Sequence, residues 1–269
     1  MRVRVPATIA NLGPGFDVLA MAVDIWLEVE AAPSASPEWS FSGEGAGWLP
    51  GTDHPFSPLA MRGTIANGIP VGAGLGSSAA ARLAALALRG VTGRELLARA
   101  AAGEGHADNA AAAIHGGVVA VVGGEVHRLP APRLDVALFL PEARVPTTAA
   151  RAILPTAPTR EDSVFTAGRL ALLVSVLHTR RWSLLSTALE DRIHQPHRAL
   201  LYPWLPDAIT AALAAGAHGA ALSGAGPAVM AFVEPGRGEA VAAAMAAAAA
   251  VPGRVLVTRT VRTGMRVGR

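Results

Sequence analysis

Between residues 70 and 80 the sequence reads PVGAGLGSSAA: three glycines at alternate positions, then two serines opening an alanine-rich run that favours helix. Glycine lets the backbone bend until successive N–H groups converge on one point, and a helix starting there adds about half a positive charge at its N-terminus. Such a cradle can hold phosphate oxygens through main-chain amides, and a serine hydroxyl beside it suits a hard cation such as magnesium. A lone Gly-x-Gly is as often a plain turn. The triple glycine with a serine pair at a strand-to-helix junction is more particular. Two further glycine loops stand near the ends of the chain, NLGPGFD at 11–17 and SGAGP at 223–227. Each alone reads as a tight turn.

Any phosphate chemistry here proceeds without lysine. All 23 basic residues are arginine, which excludes a Walker A loop and Schiff-base catalysis. Cysteine is absent too, so disulfides, thiolate zinc sites and a cysteine nucleophile are ruled out. The segment EGHADN at 104–109 places acidic, imidazole and amide groups just before a short helical run. Asp108 and Asn109 are good helix N-caps, and Asp108 could equally orient a hydroxyl or act as a base.

The elements that must position these groups alternate irregularly, which fits an α+β fold. Strands are predicted at 2–8 and 16–30, and a loop-rich stretch at 31–58 surrounds a short strand at 39–42. A strand at 64–71 runs into the glycine loop. Helices follow at 79–88, 95–102 and 108–114, then a hairpin of 117–122 and 125–129 turning at Gly123-Gly124. Residues 130–133 read as a domain boundary. Beyond it come a strand at 135–140, a proline-bearing loop to 160, and a helix at 163–178 whose apolar composition predicts that it is mostly buried. An amphipathic helix carries Trp182, Leu185 and Leu189, and another runs from 207 to 215. Two strands flank 223–227, a helix starts near 238, and 254–261 is a last strand.

The 269 residues are 51% hydrophobic and 16% charged, enough for a sizeable core and, at roughly 100–200 residues per domain, for two domains. A pI near 10.7 overstates the basic character, because the formal charge is only +3 and one tyrosine leaves almost nothing to titrate between histidine and arginine. The arginines are scattered, which argues against nucleic-acid binding. The longest apolar run, 240–251, spans 12 residues, short of the ~20 a bilayer span needs. With no signal peptide legible at the start, the expectation is a soluble, cytoplasmic protein.

Together the three glycine loops, in this order, resemble the signature of the GHMP kinases, and VPATIANLGPGFD at 5–17 resembles the homoserine kinases among them. EGHADN is similar to that family's EGHPDN segment, with Ala107 where proline is usual; residues 147–155, ending RAILP, and DRIHQPHR at 191–198 resemble its two arginine segments. The likeness runs from Val5 to about Val233 except over 31–69, where the family has a longer segment that contributes to the adenine pocket. It implies a two-domain GHMP kinase fold: a ribosomal protein S5 domain 2-like N-terminal domain (1–132) and a ferredoxin-like C-terminal domain (133–269). The implied activity is ATP-dependent phosphorylation of L-homoserine, with a different alcohol of mevalonate or shikimate type, or a non-catalytic nucleotide-binding homologue, as alternatives.

The resemblance also implies roles. ATP phosphates would lie over Pro70, Val71, Gly72, Ala73, Gly74, Leu75, Gly76, Ser77, Ser78, Ala79 and Ala80, with Mg²⁺ held by Ser78 and Glu104. Asp108 and Asn109 would be catalytic. Arg151 and Arg198 would clamp the substrate carboxylate, since guanidinium pairs bidentately with a planar anion. Asp17 would face the ammonium group, and Asn11 with Asp108 the hydroxyl; His106, Thr147 and Gly226 complete the substrate set. Arg192 and His194 are expected to be structural. L-homoserine and ATP are the implied partners, with neither nucleic acid nor membrane, and a homodimer is allowed.

Overall fold

A computed structural model describes residues 1–47, 53–143 and 145–268. Two long strands, β1 (Arg2–Asn11) and β2 (Gly15–Pro33), pair antiparallel across nearly their whole length. Every residue of 5–11 is buried, and the small side chains Ala7 and Ala10 let helices pack closely on these strands. Beyond β3 (Glu38–Gly43) and β4 (Met61–Asn67) come three helices: α1 (Ser77–Leu88), α2 (Gly93–Glu104) and α3 (Asp108–His115). Of these, α1 and α3 pack on β1 and β2. The hairpin β5 (Val118–Val122) and β6 (Glu125–Leu129) turns as predicted at Gly123 and Gly124, both with positive φ, and β5 joins the sheet through β2.

From β7 (Asp135–Pro141) the chain builds a second, four-stranded antiparallel sheet. Helices α4 (Thr147–Ala152), α5 (Arg160–Thr179), α6 (Leu185–Ala188), α7 (Gln195–Arg198) and α8 (Leu205–Ala214) precede β8 (Gly219–Leu222) and β9 (Val229–Val233). Helix α9 (Gly238–Ala249) and β10 (Gly253–Arg259) follow. The strand order β10-β7-β9-β8, with α8 and α9 packed on the sheet, is the ferredoxin-like arrangement expected. Among the described residues no helix is long and apolar enough to cross a membrane.

Four expectations are corrected. The strand placed at 64–71 is β4, ending at Asn67, because the Asn67 side chain bonds both the N–H and the carbonyl of Ile69 and turns the chain off the sheet. Helix α5 is not mostly buried: it covers only Thr166, Leu173, Val176 and Leu177, and Val164 is 68% exposed. Its apolar residues are spread around the helix, so composition overstated what one packed stripe can cover. The segment carrying Trp182, Leu185 and Leu189 is a 3-10 turn followed by the four-residue α6, not one helix. It stops where the Leu189 carbonyl takes a hydrogen bond from the Gln195 amide and packs under Gly13. Finally, 133–269 is not one contiguous unit. After β10 the chain crosses back: Thr260 bridges Val23, and β11 (Arg266–Gly268) pairs with β1. Of the loop expected at 31–58, residues 48–52 lie outside the described ones.

Candidate active site

A cleft of about 540 Å³ is lined by strands of the first sheet, by loop and helix residues of the second half of the chain, and by all three glycine loops. At its centre, Gly72, Gly74 and Gly76 adopt φ of 73°, 79° and 68°, the left-handed region that side chains disfavour. Two of them are also enclosed. A Cβ on Gly74 would stand 2.3 Å from the Ser223 carbonyl, and one on Gly76 2.0 Å from Thr8 Oγ1. Thr8 N–H donates to Leu75 O, Ala228 N–H to Ala73 O, and Ser223 Oγ to Gly74 O, so the loop is fastened on both sides. A Cβ placed on Gly72 would meet no atom of the described residues outside its chain neighbours within 4 Å, and Gly72 lines the cleft. Gly76 is the N-cap of α1, whose first turn carries no side-chain cap, leaving its N–H groups for a ligand.

Six of the eleven loop residues line the cleft: Val71, Gly72, Gly74, Gly76, Ser77 and Ser78. Leu75, Ala79 and Ala80 are buried in the core, while Pro70 and Ala73 face a separate depression behind the loop. Glu104, the last residue of α2, lines the cleft together with Ser77 and Ser78.

Asp108 is 1% exposed and sits at the start of α3, where Ala107 rather than Asp108 is the N-cap. Its Oδ1 accepts from His106 Nδ1 and from the Asn109 N–H, both at 2.7 Å. Its Oδ2 is buried and has no hydrogen-bond partner among the described residues. A buried carboxylate oxygen left without a donor is costly unless a ligand supplies one. Hydrogen bonding to Asp108 holds His106 above the ordinary histidine pKa, against the effect of burial. Asn109 Oδ1 accepts from the buried Thr8 hydroxyl at 2.6 Å, which ties it to the glycine loop.

Asn11, Asp17 and Arg151 line the same cleft. Asn11 (φ 71°) and Asp17 (φ 56°) both hold left-handed backbone, a strain that persists only under firm surroundings. Asn11 supplies these: its Nδ2 donates to Gly224 O, and its Oδ1 accepts from the Asp17 N–H. The two groups expected to face opposite charges of a substrate face one another, with both Arg151 terminal nitrogens on Asp17 at 2.6 and 2.9 Å. Polar atoms of Asp17, His106 and Asp108 lie within 4.8 Å of each other, so these side chains converge on one spot. Thr147 and Gly226 also line the cleft.

Arg198 is 2% exposed, and burial, aided by the charge of Arg151, pulls its pKa down to about 10. It donates to Ala150 O, Gly224 O and His194 Nδ1. His194 is fully buried, so its Nε2 must carry the proton it gives to Gly13 O, at 2.7 Å. Burial lowers its pKa from 6.5 to about 4. In that interval the unfolded chain binds the proton and the folded protein does not, so stability is full above 6.5 and falls as pH drops towards 4. Replacing His194 with glutamine removes the titrating group, and urea melts at about pH 7 and about 4.5 should show a smaller acid loss than wild type. Equal losses would mean that other groups set the acid limb.

Sequence reasoning missed the third part of the cleft. Leu27, Phe41 and Ile65, from three adjacent strands, form an apolar wall with His54 and Phe56. His54 packs edge-on to Phe41 at 5.0 Å, accepts the Phe56 N–H on Nδ1, and has its pKa lowered by burial. Phe41 and Ile65 are register partners on β3 and β4, a pairing that no local spacing announces.

Family profiles described as GHMP kinases N terminal domain and GHMP kinases C terminal match residues 51–117 and 173–251. The chain is 41% identical over 278 aligned residues to a homoserine kinase of Thermus thermophilus, covering 95% of this chain and 94% of that protein. It is 40% identical to a homoserine kinase of Moorella thermoacetica, covering 93% of each. Among solved structures, the homoserine kinase from Cytophaga hutchinsonii superimposes with a TM-score of 0.84 at 29% identity, over 99% of this chain and 96% of that one. The fold is also similar to L. major mevalonate kinase, with a TM-score of 0.70 at 13% identity over 98% of this chain and 97% of that one.

Proposed function

The chain belongs to the homoserine kinases of the GHMP kinase family, and on that premise we propose that it transfers the γ-phosphoryl group of ATP to the side-chain hydroxyl of L-homoserine, in the cytoplasm. The observation that carries the reading is the unpartnered Oδ2 of Asp108, buried on the wall of a cleft that also holds an amide cradle and, close to Asp108, both charge signs.

Phosphoryl transfer asks a protein mainly to position groups and offset charge. The glycine loop supplies main-chain donors for the phosphates. Ser78 and Glu104 offer a hydroxyl and a carboxylate beside it, hard oxygen donors that suit Mg²⁺, which when bound neutralises charge on the phosphate oxygens. The substrate's ammonium group takes Asp17 and its carboxylate takes Arg151 and Arg198, so a zwitterion replaces the Asp17–Arg151 pair without leaving either charge alone. Asp108 Oδ2 then accepts the hydroxyl hydrogen bond, turns the oxygen lone pair towards phosphorus, and takes the proton as the new O–P bond forms and the bond to the leaving ADP oxygen breaks. Donors on Oδ1 from His106 and Asn109 fix which oxygen does this.

The adenine ring is read onto the wall of Leu27, Phe41, Ile65, His54 and Phe56. Phe41→Ala is expected to raise the ATP KM roughly tenfold, the scale of losing one base–aromatic contact, with little change in the homoserine KM.

A coupled ADP-release assay with L-homoserine, mevalonate and shikimate tests the whole reading. Turnover of homoserine alone is expected. Turnover only of another alcohol, or Mg-ATP binding without any transfer, would overturn it.

A further inference from the structure

We infer that Phe16 is a positioning residue for the amino-acid pocket: one ring that sets where Arg151 and Arg198 present their guanidinium groups. The inference rests on the carboxylate-clamp reading given above. Phe16 lies between Gly15 and Asp17 in the first glycine loop, half-buried, and is not among the residues that line the cleft. The Arg151 guanidinium carbon stands 5.5 Å from its ring centroid and that of Arg198 5.4 Å. The buried His194 ring stacks on it at 5.4 Å with an interplanar angle of 28°.

Two guanidinium groups brought together for one carboxylate repel each other, and something must hold them at a fixed spacing. An aromatic face, with its negative quadrupole, attracts both. Arg198 is further secured by Ala150 O, Gly224 O and His194. Arg151 is not: its hydrogen bonds among the described residues go to Asp17. When the substrate ammonium group claims Asp17, Phe16 is the contact that still ties Arg151 to the protein beside Arg198. The Arg198–Ala150 bond places the two clamp residues on neighbouring backbone, and Phe16 closes the triangle from below. The ring thereby fixes where the substrate carboxylate is bound, a contribution to substrate affinity.

Phe16→Leu keeps an apolar side chain and removes the ring. It is expected to raise the homoserine KM, and the homoserine Kd measured by calorimetry, about tenfold, the scale of a desolvated cation–π contact, with kcat and the ATP KM within about twofold of wild type. Phe16→Tyr, which keeps the ring, should restore both. Fluorinated phenylalanines at position 16 keep the shape and drain the ring's quadrupole, so the KM should climb step by step with fluorine number even if the leucine variant folds poorly. An unchanged homoserine KM in the leucine variant, a flat fluorination series, or equal changes in both substrates' KM would overturn the assignment. Wild-type protein that neither binds nor turns over homoserine would instead fail the functional reading beneath it.

Discussion

Asp108→Asn is expected to lower kcat by roughly 10²- to 10⁴-fold, the span typical of a lost proton acceptor, while leaving the ATP KM and the thermal melt near wild type. The reason lies in the amide's forced orientation. The His106 Nδ1 and the Asn109 N–H both donate to the Oδ1 position, so an asparagine must put its oxygen there. Its NH₂ then occupies the place of Oδ2 and offers a donor to a hydroxyl that needs an acceptor. Volume is conserved, and two of the site's hydrogen bonds survive. Steady-state kinetics at saturating ATP and homoserine measure the effect, and a kcat within about threefold of wild type would remove Asp108 from the reaction.

Gly76→Ala is expected to damage both stability and ATP binding. An alanine at φ 68° carries the left-handed penalty, about 1–2 kcal/mol. The added Cβ would also lie 2.0 Å from Thr8 Oγ1 and 3.2 Å from Asn109 Oδ1, and the buried Thr8 has little room to retreat. Relief requires breaking the Thr8–Asn109 hydrogen bond, which links β1 to the start of α3 beside the phosphate loop. The expected result is a melting temperature lower by about 5–15 °C and ATP affinity down at least tenfold. Gly72→Ala is the control. Its φ of 73° is as unfavourable, yet nothing stands within 4 Å, so it should lose only the backbone term of roughly 1–2 kcal/mol in stability. Equal melting shifts in the two variants would mean that enclosure by Thr8 contributes nothing.

The contrast between these glycines shows where sequence reading stops. Three alternate glycines before Ser-Ser announce a bent, amide-lined loop, because only glycine occupies that backbone at little cost. Which glycine is enclosed and which opens to the cleft depends on Thr8, Ser223 and Gly226, residues far away in the chain. The same holds for Asp17 and Arg151, which lie 134 residues apart and meet in a bidentate pair. Motif likeness put each near a substrate charge, but nothing local told that they would face each other. His194 was legible as structural only through its neighbours in the motif; that it is neutral and shared between Gly13 and Arg198 follows from burial.

The apolar wall at Leu27, Phe41 and Ile65 is a property of strand register, and register across β2, β4 and β3 is set by how whole faces bury. Likewise, the apolar composition of α5 says how much surface wants cover, and only packing decides how much is covered.

By itself, then, the order of residues determined the features that depend on covalent neighbours: a lysine-free glycine cradle opening a helix, the Asp-Asn pair at the start of α3, the hairpin at Gly123-Gly124, and the family likeness carried by these short motifs. The tertiary structure alone decided what depends on distant segments meeting: the unpartnered oxygen of Asp108, the Asp17–Arg151 pair, Phe16 beneath two arginines, the apolar wall, and the return of β11 to the first sheet. Short-range steric and hydrogen-bond rules act along the chain and are written in it locally, whereas burial and electrostatics act through space and exist only once the chain has closed on itself.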